Sequence, residues 1–219
     1  HIKELETIGI LDRRVEFIPD DKKIIERKAA TQGLTRPELA VLLEYTKIYL
    51  KQAILQTNIP EDEYISEIAV NAFPPSVRDK YQKAIKEHRL YRDIVATQLS
   101  NKIINTMGIT FIHRVQTETG ASIEDIIRAY TVASNIFDTS ELRSLIEGLD
   151  FKVAMNKQYE MLYNIRNLVN LTTRWFLHNN QTKGDLVKLI GHYAARIKQL
   201  EELIPNLMAG FTKRYLESI

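Results

Sequence analysis

The chain has no cysteine, which excludes disulfides, thiolate nucleophiles and thiolate zinc sites. That is compatible with a reducing compartment, and a cytoplasmic setting is the expectation. Glycine is scarce, with 8 in 219 residues, and proline scarcer, with 6. So little punctuation favours long helices over a sheet rich in turns. Neither charge is in excess: 30 Lys and Arg stand against 28 Asp and Glu, spread evenly along the chain. A nucleic-acid or anionic-membrane partner therefore has no electrostatic footprint. No apolar run approaches the roughly 20 residues that a membrane span needs, and no signal-peptide pattern opens the chain. What is present is enough apolar material, 44% of residues, to bury a real core. The first residue is His1 rather than Met, and HIKELETIGILDRRVEF already reads as structured sequence. The expectation is a piece of a longer protein.

The stretch GLTRPELAVLLEYTKIYL at 33–50 gathers Arg36, Glu38 and Thr35 beside apolar residues. Thr-x-x-Glu is a capping box: Thr35 as N-cap and Glu38 three residues on satisfy two otherwise unpaired amides. Leu34 and Leu39 stand where a hydrophobic staple would form, and Pro37 lies in the first turn, where its missing N–H costs nothing. Leu39, Leu42, Leu43, Thr46, Tyr49, Leu50, Ala53 and Ile54 then follow the helical period. The cluster is read as a helix start, ahead of a catalytic role for Arg36 and Glu38. A helix is expected from Asp20 or Asp21, another after Pro60 with its acidic turn at 61–63, a third from Ser122 and Asp125, and a fourth from Asp138 or Thr139. Carboxylates crowd these starts because they meet the positive end of the peptide dipole.

Val95, Leu99, Ile103 and Met107 step by four, and Phe111 and Val115 continue on a neighbouring face. This spacing predicts one long helix near 89–118, or two joined near Gly108. ITFIHRV at 109–115 is kept as helix although β-branched and aromatic residues dominate it. A second long helix is expected near 150–178. Its columns Ala154, Met161, Leu168, Trp175 and Met155, Leu162, Val169, Phe176 repeat every seven residues, with Ile165 and Thr172 between them. That breadth suits the centre of a bundle, and it makes core of Trp175 and Phe176 rather than an aromatic cofactor box. A further helix should run to about Leu203, be interrupted at Pro205 and give way to a short last helix. The fold expected is all-α, an irregular multi-helix bundle of about nine helices. It is taken as one helical domain over 1–219, with possible sub-lobes 1–118 and 119–219.

Catalytic signatures are missing. No GxGxxG or GxxxxGK[ST] occurs, nor a Gly-x-Ser-x-Gly elbow. The histidines His1, His88, His113, His178 and His192 never fall at i, i+3 or i, i+4, the spacing of helical metal ligands. His113 reads as a packed or edge histidine rather than a base. Asn101 and Asn105, one turn apart, either bind a ligand or meet a neighbouring helix or solvent. No catalytic, cofactor-binding or metal-ligating residue is assigned to the chain.

Several blocks resemble the C-terminal region of the large bacterial NAD-specific glutamate dehydrogenases. IVATQLSNKIINTMGITFIHRVQTETGAS at 94–122 and GLTRPELAVLLEYTKIYL at 33–50 carry most of it. LDRRVEFIPDDKKI at 11–24, AFPPSVRDKY at 72–81 and TRWFLHN at 173–179 follow in the family's order, so the resemblance spans roughly 5–180. It implies a parent enzyme that oxidatively deaminates L-glutamate to 2-oxoglutarate and ammonia with reduction of NAD. The nicotinamide site and the lysine-bearing glutamate pocket would then lie upstream, and no family catalytic residue falls on a position of this chain. By itself the chain is expected to be inactive and to need no cofactor, packing on the upstream catalytic domain or on a neighbouring subunit of a homo-oligomer. The alternatives are a regulatory domain with an effector site, for which Asn101, Asn105 and Arg114 are the candidates, or an independent helical scaffold.

Overall fold

A computed structural model of the chain describes residues 1–207. The described residues form eleven helices and one short 3-10 turn, with no strand among them. The chain divides into two compact units, His1–Glu124 and Asp125–Ile219.

The first unit contains α1 (Ile2–Thr7), α2 (Asp21–Ala29), α3 (Arg36–Leu55), a 3-10 turn at Ile59–Glu61, α4 (Glu63–Val70), α5 (Pro75–Lys86), α6 (Tyr91–Met107) and α7 (Phe111–Thr119). Its centre is α3 against α6, with α4 also on α6 and α1 on α3. On α3 the buried side chains are Leu42, Thr46, Leu50 and Ile54, one per turn. The Thr46 hydroxyl donates to the Leu42 carbonyl at 2.6 Å, so a polar residue crosses the apolar stripe with its hydrogen satisfied. On α6 the buried apolar side chains are Val95, Ala96, Leu99, Ile103, Ile104 and Met107. Leu39 is 44% exposed, so the expected staple is not sealed.

The long helix expected near 89–118 is two helices. Gly108 takes φ 87° and ψ 165°, a region essentially closed to residues with a Cβ. Its N–H still closes the last turn on the Ile104 carbonyl at 2.9 Å, after which the chain cannot stay helical and α7 starts afresh at Phe111. Within α5, Tyr81 departs from helical geometry (φ −122°, ψ 25°) and kinks it.

The second unit is entered by α8 (Ile123–Ile136) and holds α9 (Thr139–Glu147), α10 (Met155–His178) and α11 (Leu186–Leu207). Nine of the fourteen residues of α8 are buried, Ile126, Ile127, Tyr130, Val132 and Ile136 among them; a helix apolar nearly all round is an interior one. That overturns the central placement expected of α10. On α10 only Ile165, Val169, Thr173 and Phe176 are buried. Asp138 precedes α9 as expected, but in the left-handed region (φ 44°) and with no side-chain cap bond. The buried Thr139 instead donates its hydroxyl to the Ser134 carbonyl at 3.0 Å. Pro205 does not interrupt α11, which continues to Leu207. The short last helix falls in 208–219, outside the described residues.

The turn between α10 and α11 is pinned to α8. Arg128 Nε donates to the Thr182 carbonyl at 2.8 Å and its guanidinium also reaches the Gly184 carbonyl, while the Thr182 hydroxyl donates to Asp125 at 3.1 Å. Beyond the turn, Phe176 and Tyr193 meet edge to face with centroids 4.9 Å apart.

Candidate functional site

The cluster in the TRPE stretch is a helix start, as its pattern implies. The Glu38 carboxylate accepts from the Thr35 amide at 2.6 Å, and the Glu38 amide meets the Thr35 hydroxyl at 3.5 Å. Arg27 of α2 donates from one nitrogen, Nη1, to both oxygens of the same carboxylate at 2.8 and 3.0 Å, a charge-assisted contact that ties two helices together. Arg36 is exposed. The Arg27 guanidinium, ahead of the Thr35 bonds, holds Glu38 below its ordinary carboxylate range. A depressed carboxylate contributes stability above its unfolded pKa and loses it as pH falls through the folded value. Glu38→Gln is therefore expected to cost about 1 kcal/mol near pH 7. The gap to the parent should close below about pH 4. Thermal melts of both proteins across this range check it; a gap independent of pH would remove the ionised Glu38 as the cause.

A second polar knot was not visible in the spacing. Glu4 Oε2 accepts from His1 Nδ1 at 3.1 Å and from His113 Nδ1 at 2.7 Å. His1 Nε2 lies 2.8 Å from the Thr46 hydroxyl. That hydroxyl donates to the Leu42 carbonyl. Burial, and then the Glu4 charge, push the nearby Tyr49 phenol up. His1, Glu4, Thr46 and His113 come from α1, α3 and α7 and from separations of up to 112 residues, so only the fold assembles them. The knot clasps α1 onto the unit. Among the described residues no group of three or more His, Asp and Glu side chains is arranged for a metal ion.

Two open grooves, of about 560 and 420 Å³, border the same corner of the first unit. Several of their charges are paired, although Arg13 Nε is buried with no hydrogen-bond partner among the described residues. Arg13 bridges Glu6 at 2.7 Å and Asp21 at 2.8 Å, and Lys3 reaches Asp21 at 2.7 Å. Glu6 accordingly holds the Arg13 guanidinium up, and Lys3, then Arg13, hold Asp21 down. These pairs fasten the segment between α1 and α2.

Of the expected effector residues, Asn101 is half-buried and Asn105 exposed on α6, and among the described residues neither has a hydrogen bond to a neighbouring helix or to Arg114. Arg114 lies on α7, 3.8 Å from Glu118 one turn on. Between the asparagines, Lys102 is desolvated enough to lie below the usual lysine range; its ammonium was missed because position alone does not reveal burial. His113 is the edge histidine expected, with Glu4 as its partner. Phe176 is 1% exposed, but Trp175 is 48% exposed. The core reading holds for the first and fails for the second.

These features define a class: an all-helical module whose polar side chains cap helices and clasp them to one another. Comparison with known proteins narrows it. Residues 31–218 match the family described as "Glutamate dehydrogenase, C-terminal", and the chain belongs to that family. It is similar to the NAD-specific glutamate dehydrogenase of Pseudomonas aeruginosa, 37% identical over 210 residues that make up 96% of the chain and 13% of the relative. The NAD-specific glutamate dehydrogenase of Halomonas elongata is 38% identical over 209 residues, 95% of the chain and 13% of the relative. That of Mycobacterium tuberculosis is 29% identical over 216 residues, 99% of the chain and 13% of the relative. The chain thus spans about an eighth of the length of the relatives it matches.

Proposed function

We propose that the chain is a non-catalytic, helical C-terminal domain of a long NAD-specific glutamate dehydrogenase, packing on the catalytic region that precedes it or on a neighbouring subunit. The parent reaction moves a hydride from the α-carbon of L-glutamate to NAD; hydrolysis of the resulting imine releases 2-oxoglutarate and ammonia. The observation that carries this reading is the match itself: nearly the whole chain aligns with 13% of each of three proteins that bear that name. The character of the polar clusters supports it. Thr35–Glu38–Arg27, His1–Glu4–His113 and Arg13 with its carboxylates are bound to protein partners and organise helices. The sequence also has no glycine-rich dinucleotide fingerprint, which agrees with a cofactor site elsewhere in the parent. No helix among the described residues is long and apolar enough to cross a membrane. A cytoplasmic homo-oligomer is the setting we propose for the parent.

The experiment pairs two preparations with the full-length enzyme: this chain alone, and the enzyme lacking these residues. NADH formation from glutamate and NAD is expected from the full-length enzyme and not from the chain alone. The shortened enzyme is expected to lose activity or change its oligomer size. Turnover by the chain alone would refute the non-catalytic role; a shortened enzyme with unaltered size and rate would refute the packing role.

A further inference from the structure

The first ten residues of α10, 155–164, include no buried side chain, although the helix runs on to His178. Two apolar columns run side by side along it. One, with Val169 and Phe176, enters the unit's own core. The other does not. Met161, Leu168 and Trp175 recur every seven residues with Leu171 between the last two, and they are 38%, 38%, 66% and 48% exposed in chain order. A heptad column with a residue three positions on is the seam by which one helix lies lengthwise on another element. Contiguous bare apolar surface of this kind marks an interaction site. Just ahead of the helix, Phe151 sits in the left-handed region at φ 63° with its ring fully in solvent, a conformation unfavourable for a bulky residue.

Length says what covers the seam: this chain makes up 13% of the matched relatives, which continue for about seven times its span. We propose that the Met161–Leu168–Leu171–Trp175 seam is the seat of the polypeptide that precedes this chain in the full-length enzyme, through an apolar strip of that polypeptide. This rests on the reading of the chain as a packing domain and names the surface that does the packing.

The absence of cysteine supplies the test, because an introduced thiol is the only one in the chain's own peptides. Leu171→Cys is placed in the isolated chain and in the full-length enzyme, with Asn156→Cys as a control at an exposed polar position. Maleimide labelling is followed by peptide mass spectrometry, and circular dichroism checks that each variant keeps the helix content of its parent. Labelling at position 171 is expected to be at least about tenfold slower in the full-length enzyme, since it must await local opening, while position 156 labels alike in both. Equal rates at 171 would overturn the proposal. So would slowing in the isolated chain that grows with its concentration, because that gives the seam to a second copy. If removing the domain impairs the enzyme yet position 171 labels freely, the packing role stands and this face is wrong.

Discussion

Phe176→Ala is expected to destabilise the second unit by about 3–5 kcal/mol, the range for removing a buried aromatic ring. Three features put it there. Phe176 is 1% exposed, and it is the largest of only four buried side chains that α10 contributes. Its ring also holds α11, meeting Tyr193 edge to face at 4.9 Å, while Trp175 stands 5.2 Å from Phe176 and 5.9 Å from Tyr193; such pairs add to the burial itself. Along α11 only Leu186 is buried among the side chains described, and Ile190, Tyr193 and Ile197 are half-buried. Few contacts remain to keep that helix in place once the ring is gone. The chain's single tryptophan is Trp175, so its fluorescence reads this hairpin directly during urea unfolding. A midpoint unchanged from the parent would mean that the α10–α11 contact contributes little to stability. Trp175→Phe, altering a ring half in solvent, is the contrast and should cost under about 1 kcal/mol.

How much of this could be read beforehand follows from which features are local. The Thr35–Glu38 box is complete within four residues, so its pattern and its geometry coincide. Gly108 marked the break between α6 and α7 because a residue without a Cβ is the cheapest place to leave helical space. Column patterns are less informative. The repeat in 154–176 located two apolar columns on α10 correctly, yet periodicity reports which residues share a side and not whether anything lies over it. The result was a central position for a helix that is in fact bare along one column, while the all-round apolar α8 takes the interior. The Glu4 knot was out of reach for another reason. His1 and His113 are far apart in the chain, and nothing near either of them announces the other. Pro205 failed as a stop signal although its ring removes a backbone donor; the helix passes it by two residues.

The difference between side and cover predicts a second large effect, on α3. Leu39 and Leu50 are eleven residues, or three turns, apart, so they point to nearly the same side of the helix. Hydrophobic periodicity treats them as equivalent. Leu50 is 1% exposed where α3 lies on α6, and Leu39, in the first turn, is 44% exposed. Leu50→Ala removes three buried carbons and leaves a cavity walled by a second helix, a change that costs about 2–5 kcal/mol. At Leu39 the same substitution uncovers little, and alanine's better helix propensity offsets part of the loss. Its effect should stay within about 0.5 kcal/mol. Chemical denaturation followed by circular dichroism measures both, since the slopes should match and only the midpoints differ. Equal losses at the two positions would mean that the start of α3 is covered after all. A small loss at Leu50 would mean that the α3–α6 contact is too loosely packed to be the centre of the first unit.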